Sequence, residues 1–429
     1  MLYRLNIKNF KSIVDLTLDM SFGQKRLVEK DVIYALEPTK KIADRVVPVE
    51  CIYGPNASGK SNIVKAIKVF REIVVDGLVF SSYQPNKLRF IKEPTCFSIE
   101  FFVNSRKYSY ILAFDENSIV YEELIDLTNN ISIYKIENQK TYFDNINCDG
   151  FDYVLLDKIY ETAAIVRGKD GQDYQKNTFL EKFVWQFPNL DSRLSDVFYY
   201  ISNNIKIISA KDSLRAFSSI RYLADSDKDE DICVSLDKIS KFIQMFDVDV
   251  KRFEHKYKEY SQESLMNVEI PFDFIKNFDE DKVYVDDIIP YLEDDTGKDV
   301  PFNFHNELSV GTQEIFKLAG LILGAVEKGV LIIIDEMDRS IHPKVLEGLI
   351  KRFKYKNFNK NGAQLIATLH TTDILENKIY KTDEFAFVNK NKKNGSVLVR
   401  LSSIEKRNEV NFRDRYVSGM YRGQPIILD

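Results

Sequence analysis

The stretch from Val49 to Ile67 reads V-E-C-I-Y-G-P-N-A-S-G-K-S-N-I-V-K-A-I, an apolar strand, a loop and a helix that carry the spacing G-x-x-x-x-G-K-S. That spacing suits a chain of phosphates. Gly54 and Gly59 let the backbone of Gly54, Pro55, Asn56, Ala57, Ser58 and Gly59 coil so that successive NH groups face the anion, and the helix opening near Lys60 adds its positive dipole end. The Lys60 ammonium is spaced to reach the β- and γ-phosphates of a nucleotide, and the Ser61 hydroxyl to complete the oxygen shell of a Mg2+ ion.

Three further stretches hold groups that could act on such a ligand. Val330 to Glu336 reads V-L-I-I-I-D-E, a continuous apolar strand suited to the middle of a parallel sheet, with two carboxylates at its C-terminal edge. Asp335 is suited to hold the metal, and Glu336 to orient or deprotonate the water that attacks the γ-phosphate. A second strand, Ala363 to Leu369, ends in His370, whose imidazole can hydrogen-bond the γ-phosphate and respond to its loss. E-L-S-V-G-T-Q-E-I-F-K at Glu307 to Lys317 precedes a helix running to about Glu327 and closed by Gly329. Ser309 and Gly311 thus stand at a helix N-terminus, where a hydroxyl, open backbone NH groups and the dipole can meet a second anion. His255 and His305 receive no role, and the pair Asp247 and Asp249 reads as structural because no matching glutamate motif completes a nuclease centre.

Positioning these groups requires an α/β fold with strands that converge. Met1 to Leu18 alternates around a polar break at Asn9, Lys11 and Ser12, which predicts two strands and a tight turn beside the phosphate loop. Ser21 to Pro48 connects them onward, with one further strand expected at Asp31 to Leu36. The phosphate-loop helix is predicted from Lys60 to about Val75, with Ile63, Ala66, Ile67 and Phe70 on its apolar face and Gly77 as its stop. From Phe97 to Ile136, four aromatic and β-branched runs separated by Asn, Asp and Ser turns predict an antiparallel meander, its rings serving as packing. Phe151 to about Pro301 then reads as an inserted helical lid, with helices at Thr178 to Phe187, Ser192 to Asn203 and Ile232 to Met245 and an acidic run at Asp225 to Asp231. The expected domains are 1–150, the first half of an ATPase head; 151–301, the helical insert; and 302–429, the second half of the head.

Composition narrows the setting. With 429 residues, 44% of them hydrophobic, the chain can bury a large core. A net charge of −5 supplies no global field for nucleic acid, so DNA binding stays open but unsupported; Lys351 to Lys356 and Lys390 to Lys393 read as solvated surface. Cys51, Cys96, Cys148 and Cys233 are scattered without a C-x-x-C pair, which fits a reducing compartment and a cytoplasmic location. The longest apolar stretch, Leu318 to Val326, is too short to span a bilayer, so no membrane association is expected.

The order of G-P-N-A-S-G-K-S, L-S-V-G-T, L-I-I-I-D-E and A-T-L-H resembles ABC-class ATPase heads, especially the soluble SMC, RecF and OLD-like group. Within it, N-I-K-N-F-K-S at Asn6 to Ser12, D-E-M-D-R-S-I-H-P at Asp335 to Pro343 and R-Y-V-S-G-M-Y-R-G-Q-P at Arg415 to Pro425 look like the AAA-type ABC ATPases of bacterial abortive-infection and phage-defence loci. The resemblance implies an ABC-type head, ATP and Mg2+ as ligands, and a homodimer or higher homo-oligomer. Two copies would dock head to tail, so that ATP on one phosphate loop meets Ser309 and Gly311 of the other. It also implies a separate effector, a nuclease or toxin, governed by nucleotide state; the alternative is a DNA repair or chromosome-maintenance ATPase with the same head. Two departures stand out. The glutamine that ABC proteins usually carry between the first helix and the following strand has no counterpart in Lys92 to Phe97; Gln84 lies too early, and Glu93 is a candidate. The loop after the catalytic glutamate, which usually ends in aspartate, has His342 here.

Overall fold

The structure is a computed structural model that describes residues 1–23, 30–89, 92–143, 145–147, 153–168, 171–209, 216–224, 229–261, 275–279, 282–391, 395–405 and 411–421. Cys148, Asp225 and Asp227 of the acidic run, Lys392, Lys393 and the end of the tail motif at Arg422 to Pro425 lie outside the described residues. By its contacts the chain falls into two units. The first comprises Met1–Ala210, Gly329–Met337 and Phe353–Asp429, and the second Lys211–Lys328 and Asp338–Arg352.

A sheet of 13 strands organises the first unit. Its parallel part runs Ile205–Ile208, Leu331–Ile334, Gln364–Thr368, Val49–Tyr53 and Phe385–Asn391, every neighbouring pair in that run being parallel. The three central strands are buried at each position, as strands covered on both faces must be. The sheet then turns antiparallel through Gly395–Arg400, Ile13–Asp19, Leu2–Phe10, Thr95–Val103, Arg106–Phe114, Ile119–Asp126, Ile131–Glu137 and Lys140–Tyr142. The expected α/β head, a phosphate-loop sheet continued by an antiparallel meander, is thus what the chain forms. Meander aromatics pack as predicted: Phe97, Phe101, Tyr108, Tyr110, Phe114 and Tyr134 are all buried.

The phosphate-loop helix spans Lys60–Asp76 and stops where Gly77 adopts φ 88° and returns its NH to the Ile73 carbonyl. Phe70 on its inner face meets Phe97 and Tyr110 edge-on, with centroids 6.1 and 6.0 Å away, which seats the helix on the meander. Glu122 ties the meander to the next layer. Its buried carboxylate accepts from the Tyr110 and Tyr134 hydroxyls at 3.0 and 2.8 Å and from the first two NH groups of the helix Phe179–Gln186, at 2.9 and 3.1 Å.

Two expectations change. Asp31 to Leu36 forms no regular strand; Val32 and Leu36 make isolated bridges to Tyr355 and Val46. Residues 151–301 are not simply helical. Helices form at Phe179–Gln186, Ser192–Asn203 and Asp229–Gln244, but Ile205–Ile208 joins the main sheet, pairing with the strand before Asp335. In the second unit Arg252–Ser261, Lys282–Glu293, Ile275–Asp279 and Asp299–Pro301 build an antiparallel sheet of their own. Val283, Tyr284, Val285, Ile288 and Ile289 are pleat-forming residues that outweigh the helical pattern around them. Residues 302–328 and 338–352, expected in the head, also belong to the second unit. The helix Val310–Lys328 packs there through Phe316 against Phe253 and Phe304, with centroids 4.5 and 5.0 Å away. Gly320 and Gly324 let it approach Ser219 and Tyr222, whose atoms lie 2.8 Å from where a Cβ would stand. Among the described residues no helix is long and apolar enough to cross a membrane.

Beneath the phosphate-loop strand lies a polar cluster. Lys354 and Glu384 are wholly buried and paired at 2.6 Å, and Glu50, on the strand itself, is fully buried with no hydrogen-bond partner for either carboxylate oxygen. Burial pushes the Glu50 carboxyl well above its usual 4.5, with Arg400 opposing the shift. The native state therefore keeps a proton that the unfolded chain releases above about pH 4.5, and wild-type stability declines as pH rises from there toward the raised native value. Glu50→Gln should remove that decline. Melting temperatures of the two proteins should agree near pH 4 and diverge, variant higher, as pH climbs; parallel curves would clear Glu50 of the effect.

Candidate functional site

Parallel pairing places the C-terminal ends of three strands at one edge of the first unit's sheet. Ile334 lies opposite Ala367, and Thr368 opposite Ile52, so the chain leaves all three strands at nearly the same level. Beyond these ends come the phosphate loop from Gly54, the pair Asp335 and Glu336, and His370.

The loop needs both of its glycines for geometric reasons. Gly54 has φ 156° and packs on the Val388 carbonyl and on Ser58 Oγ, so a Cβ would collide with backbone; Gly59 has φ 112° and lies against Ser396 and Ser12. Ala57 also takes the left-handed region at φ 61°. A chain of donors fixes Gly59 from behind. Asn62 Nδ2 donates to Ser12 Oγ at 2.7 Å, Ser12 and Ser396 hydroxyls bond at 2.7 Å, and Ser396 Oγ donates to the Ser58 carbonyl at 2.6 Å. Since Ser396 spends its proton on Ser58, Ser12 must be the donor in the middle link. Lys60 is 6% exposed, and its ammonium donates to the Gly54 and Pro55 carbonyls at 2.6 and 3.4 Å. A loop coiled tightly because its glycines back onto Val388, Ser396 and Ser12, a lysine folded into it and a helix start beyond it fit a polyphosphate. Ser61 stands on the first turn of that helix.

Asp335 and Glu336 are set by Thr368, the threonine of A-T-L-H, to which the sequence alone gives no role of its own. Its hydroxyl donates to Asp335 Oδ1 at 2.6 Å and accepts the Glu336 NH at 2.7 Å, and its carbonyl accepts from Met337 NH at 3.2 Å. Asp335 is buried at 6% exposure, while Glu336 is held at φ 53°, a left-handed backbone that non-glycine residues adopt only when their surroundings enforce it. A carboxylate oriented by a hydroxyl, with Ser61 from the loop, suits Mg2+, which keeps several waters and takes few protein ligands. Among the described residues no three His, Cys, Asp or Glu side chains gather as a metal cage. His370 is exposed just beyond Leu369, whose NH donates to the Ile52 carbonyl at 3.0 Å.

Ser309 and Gly311 occur in the second unit. Ser309 caps the helix Val310–Lys328: its Oγ accepts from Thr312 NH at 3.1 Å and bonds the Thr312 hydroxyl at 2.8 Å, on an exposed helix start. Gly311 backs onto the Ser340 carbonyl, 3.1 Å from where its Cβ would be. His342, in the place of the usual aspartate, caps the helix Pro343–Lys351 by accepting the Lys344 NH on Nδ1 at 3.3 Å. The Glu93 side chain is exposed, and its carbonyl accepts from the Tyr83 hydroxyl and Asn9 Nδ2. Gln84, too early in the chain for that role, lines a cavity of about 830 Å3 that also touches Ser12 and Gly395 beside Gly59. The charged residues of that cavity are all cationic: Lys11, Lys87, Arg89 and Lys390.

A protein-family model described as "AAA domain, putative AbiEii toxin, Type IV TA system" matches residues 50–146 and 169–375, well over half of the chain. The match spans the phosphate loop, Ser309, Asp335, Glu336 and His370, in agreement with the resemblance seen in the motifs. The SMC head domain from Thermotoga maritima aligns at 14% identity with a TM-score of 0.39, covering 93% of this chain and 98% of that one. No curated protein matches the chain in sequence.

Two substitutions probe the edge. Lys60→Ala should lower ATP affinity below detection by calorimetry, because no other side chain of the loop carries a positive charge; wild-type affinity would remove the loop from the site. Thr368→Val keeps volume but loses both hydroxyl bonds, and kcat should fall by roughly ten- to a hundredfold, the range seen when the partner of a metal-holding carboxylate is lost. Unchanged turnover would reduce Thr368 to packing.

Proposed function

The chain belongs to this AAA-domain family and is an ATPase, and we propose that it is a regulatory one: two copies close head to tail on ATP, hydrolysis reopens them, and a separate effector reads the difference. The observation that carries this reading is the division of labour among the motifs. Loop, carboxylates and histidine share one sheet edge, and an exposed helix start with Ser309 and Gly311 belongs to the other unit. A composite site formed by two copies would use both.

In the site, Lys60 exchanges its two carbonyl partners for β- and γ-phosphate oxygens, a gain because charge-assisted bonds are the stronger kind. Ser61 and Asp335 would hold Mg2+, which supplies charge neutralisation on the phosphates when bound. Glu336, its NH pinned by Thr368, orients and deprotonates the attacking water, and His370 meets the γ-phosphate. The nucleoside end extends into the cation-lined cavity beside Gly59, whose Lys11 and Arg89 can meet the α-phosphate.

The family description, which names a toxin and a toxin–antitoxin system, supports a role in bacterial anti-phage defence by abortive infection, with a nuclease or toxin as the effector and the cytoplasm as the setting. An ATP-dependent dimer is a two-state element, and a partner that binds one state better must be released or strained in the other.

Glu336→Gln is the test. With ATP and Mg2+ the variant should hydrolyse roughly two to four orders of magnitude more slowly than wild type. It should also elute as a dimer in size-exclusion chromatography with light scattering. Adding Ser309→Arg should return it to monomer without loss of ATP binding. A dimer indifferent to ATP or to Ser309→Arg would refute the sandwich, and wild-type turnover in Glu336→Gln would move the base elsewhere.

A further inference from the structure

His370 sits between two anchors of different origin. On its N-terminal side, Leu369 is bonded to Ile52, and Thr368 to Asp335, so the sheet itself holds the chain. On its C-terminal side the chain leaves the sheet and makes a short turn, Asp373–Glu376, with Thr371 Oγ1 donating to Asp373 Oδ2 at 3.2 Å. That turn is gripped by one side chain from the far end of the sequence. Arg413 donates through Nε to Thr372 Oγ1 at 3.1 Å and through a terminal nitrogen to Glu376 Oε1 at 2.6 Å, with Asp373 3.7 Å from its other nitrogen.

The arginine is itself firmly mounted. It lies on the helix Phe412–Val417, capped by Asn411, which accepts the Asp414 NH at 3.2 Å. Phe412 and Tyr416 are four residues apart and so share one helix face, which is buried in an aromatic layer on the phosphate-loop sheet. Tyr416 stacks on Phe387 at 5.1 Å and tilts against Tyr53 at 5.9 Å, and Phe412 meets Phe385 at 5.9 Å. Arg415 pairs with Glu405 as a second fixing point. Arg413, next to that buried face, turns its planar fork to the turn after His370. Tyr53 immediately precedes Gly54, so one small helix touches both the root of the phosphate loop and the chain that carries the histidine.

We propose that Arg413 is a positioning residue for His370, and that the tail helix couples the histidine turn to the root of the phosphate loop. This rests on His370 as the group that meets the γ-phosphate. An arginine fork with three partners on one turn fixes its orientation, which a lysine could do only in part. Exposed ion pairs of this kind add little to stability, so the latch acts on geometry.

The experiment compares ATP turnover by full-length Arg413→Ala, Arg413→Lys, His370→Ala and the double variant Arg413→Ala with His370→Ala. Arg413→Ala should lower kcat by roughly ten- to a hundredfold, as displacement of a reacting group does. KM for ATP should stay within about threefold, since the loop is intact. The melting temperature should move by no more than about 3 °C. Arg413→Lys should recover part of the loss, the charge swap Arg413→Glu with Glu376→Arg most of it, and the double variant should be no slower than His370→Ala alone. Wild-type kcat in Arg413→Ala beside an impaired His370→Ala overturns the latch while leaving the histidine in place. Losses that multiply in the double variant overturn it as well, because Arg413 would then act independently. Wild-type turnover in His370→Ala overturns the histidine reading itself and the latch with it.

Discussion

Everything at the nucleotide edge depends on parallel hydrogen bonding among Val49–Tyr53, Gln364–Thr368 and Leu331–Ile334. Parallel strands in register must end together, and a strand end is where a chain can change direction without abandoning a buried ladder bond. Three unrelated segments therefore deliver their first irregular residues to one place. Thr368 converts that coincidence of levels into chemistry: a single hydroxyl gives its proton to Asp335 and its lone pair to the Glu336 NH, fixing a carboxylate and a strained backbone at once.

The second constraint is steric. The phosphate loop can coil only because Gly54 and Gly59 lack side chains, and it stays coiled because Ser12, Asn62 and Ser396 brace it beside the space that those side chains would have taken. Exposed loops of small residues are usually mobile, and one that must present several NH groups to an anion gains from being wedged beforehand, since less ordering is left for the ligand to impose. Glu50, on the strand before the loop, acts in the opposite sense on stability, because a buried carboxyl is costly when its oxygens have no partner.

Local pattern makes part of this legible in the sequence. The G-x-x-x-x-G-K-S spacing, the helix after it with its stop at Gly77, the meander and the helix start at Ser309 are all encoded within a few residues of one another. The illegible part is non-local. Thr368 is an unremarkable strand residue until Asp335 is known to be its neighbour, and Ser12 and Ser396 are separated by nearly the whole chain. The strands between Arg252 and Pro301 escape a pattern reading because charged residues interrupt their alternation, and pairing across strands, not intrinsic pattern, decides such cases. The division into units is hidden for a related reason. Position in the sequence puts the long helix beginning at Val310 beside the Asp335 strand, whereas its buried aromatic contacts tie it to the sheet built from Arg252 onward.

The strand order has a consequence for how the protein is made. Val49–Tyr53 is flanked by Gln364–Thr368 on one side and Phe385–Asn391 on the other, partners encoded more than 300 residues downstream. At the usual pace of bacterial or eukaryotic ribosomes, that gap lasts on the order of 15 to 60 seconds. Throughout it the nascent strand carries two open hydrogen-bonding edges and a mostly apolar flank, the kind of surface that invites pairing with the wrong chain. Ser396, which wedges the loop, emerges later still. The nucleotide cradle thus takes its braced shape only after Ser396 has been made, and the growing chain is a natural client for chaperones that shield strand edges.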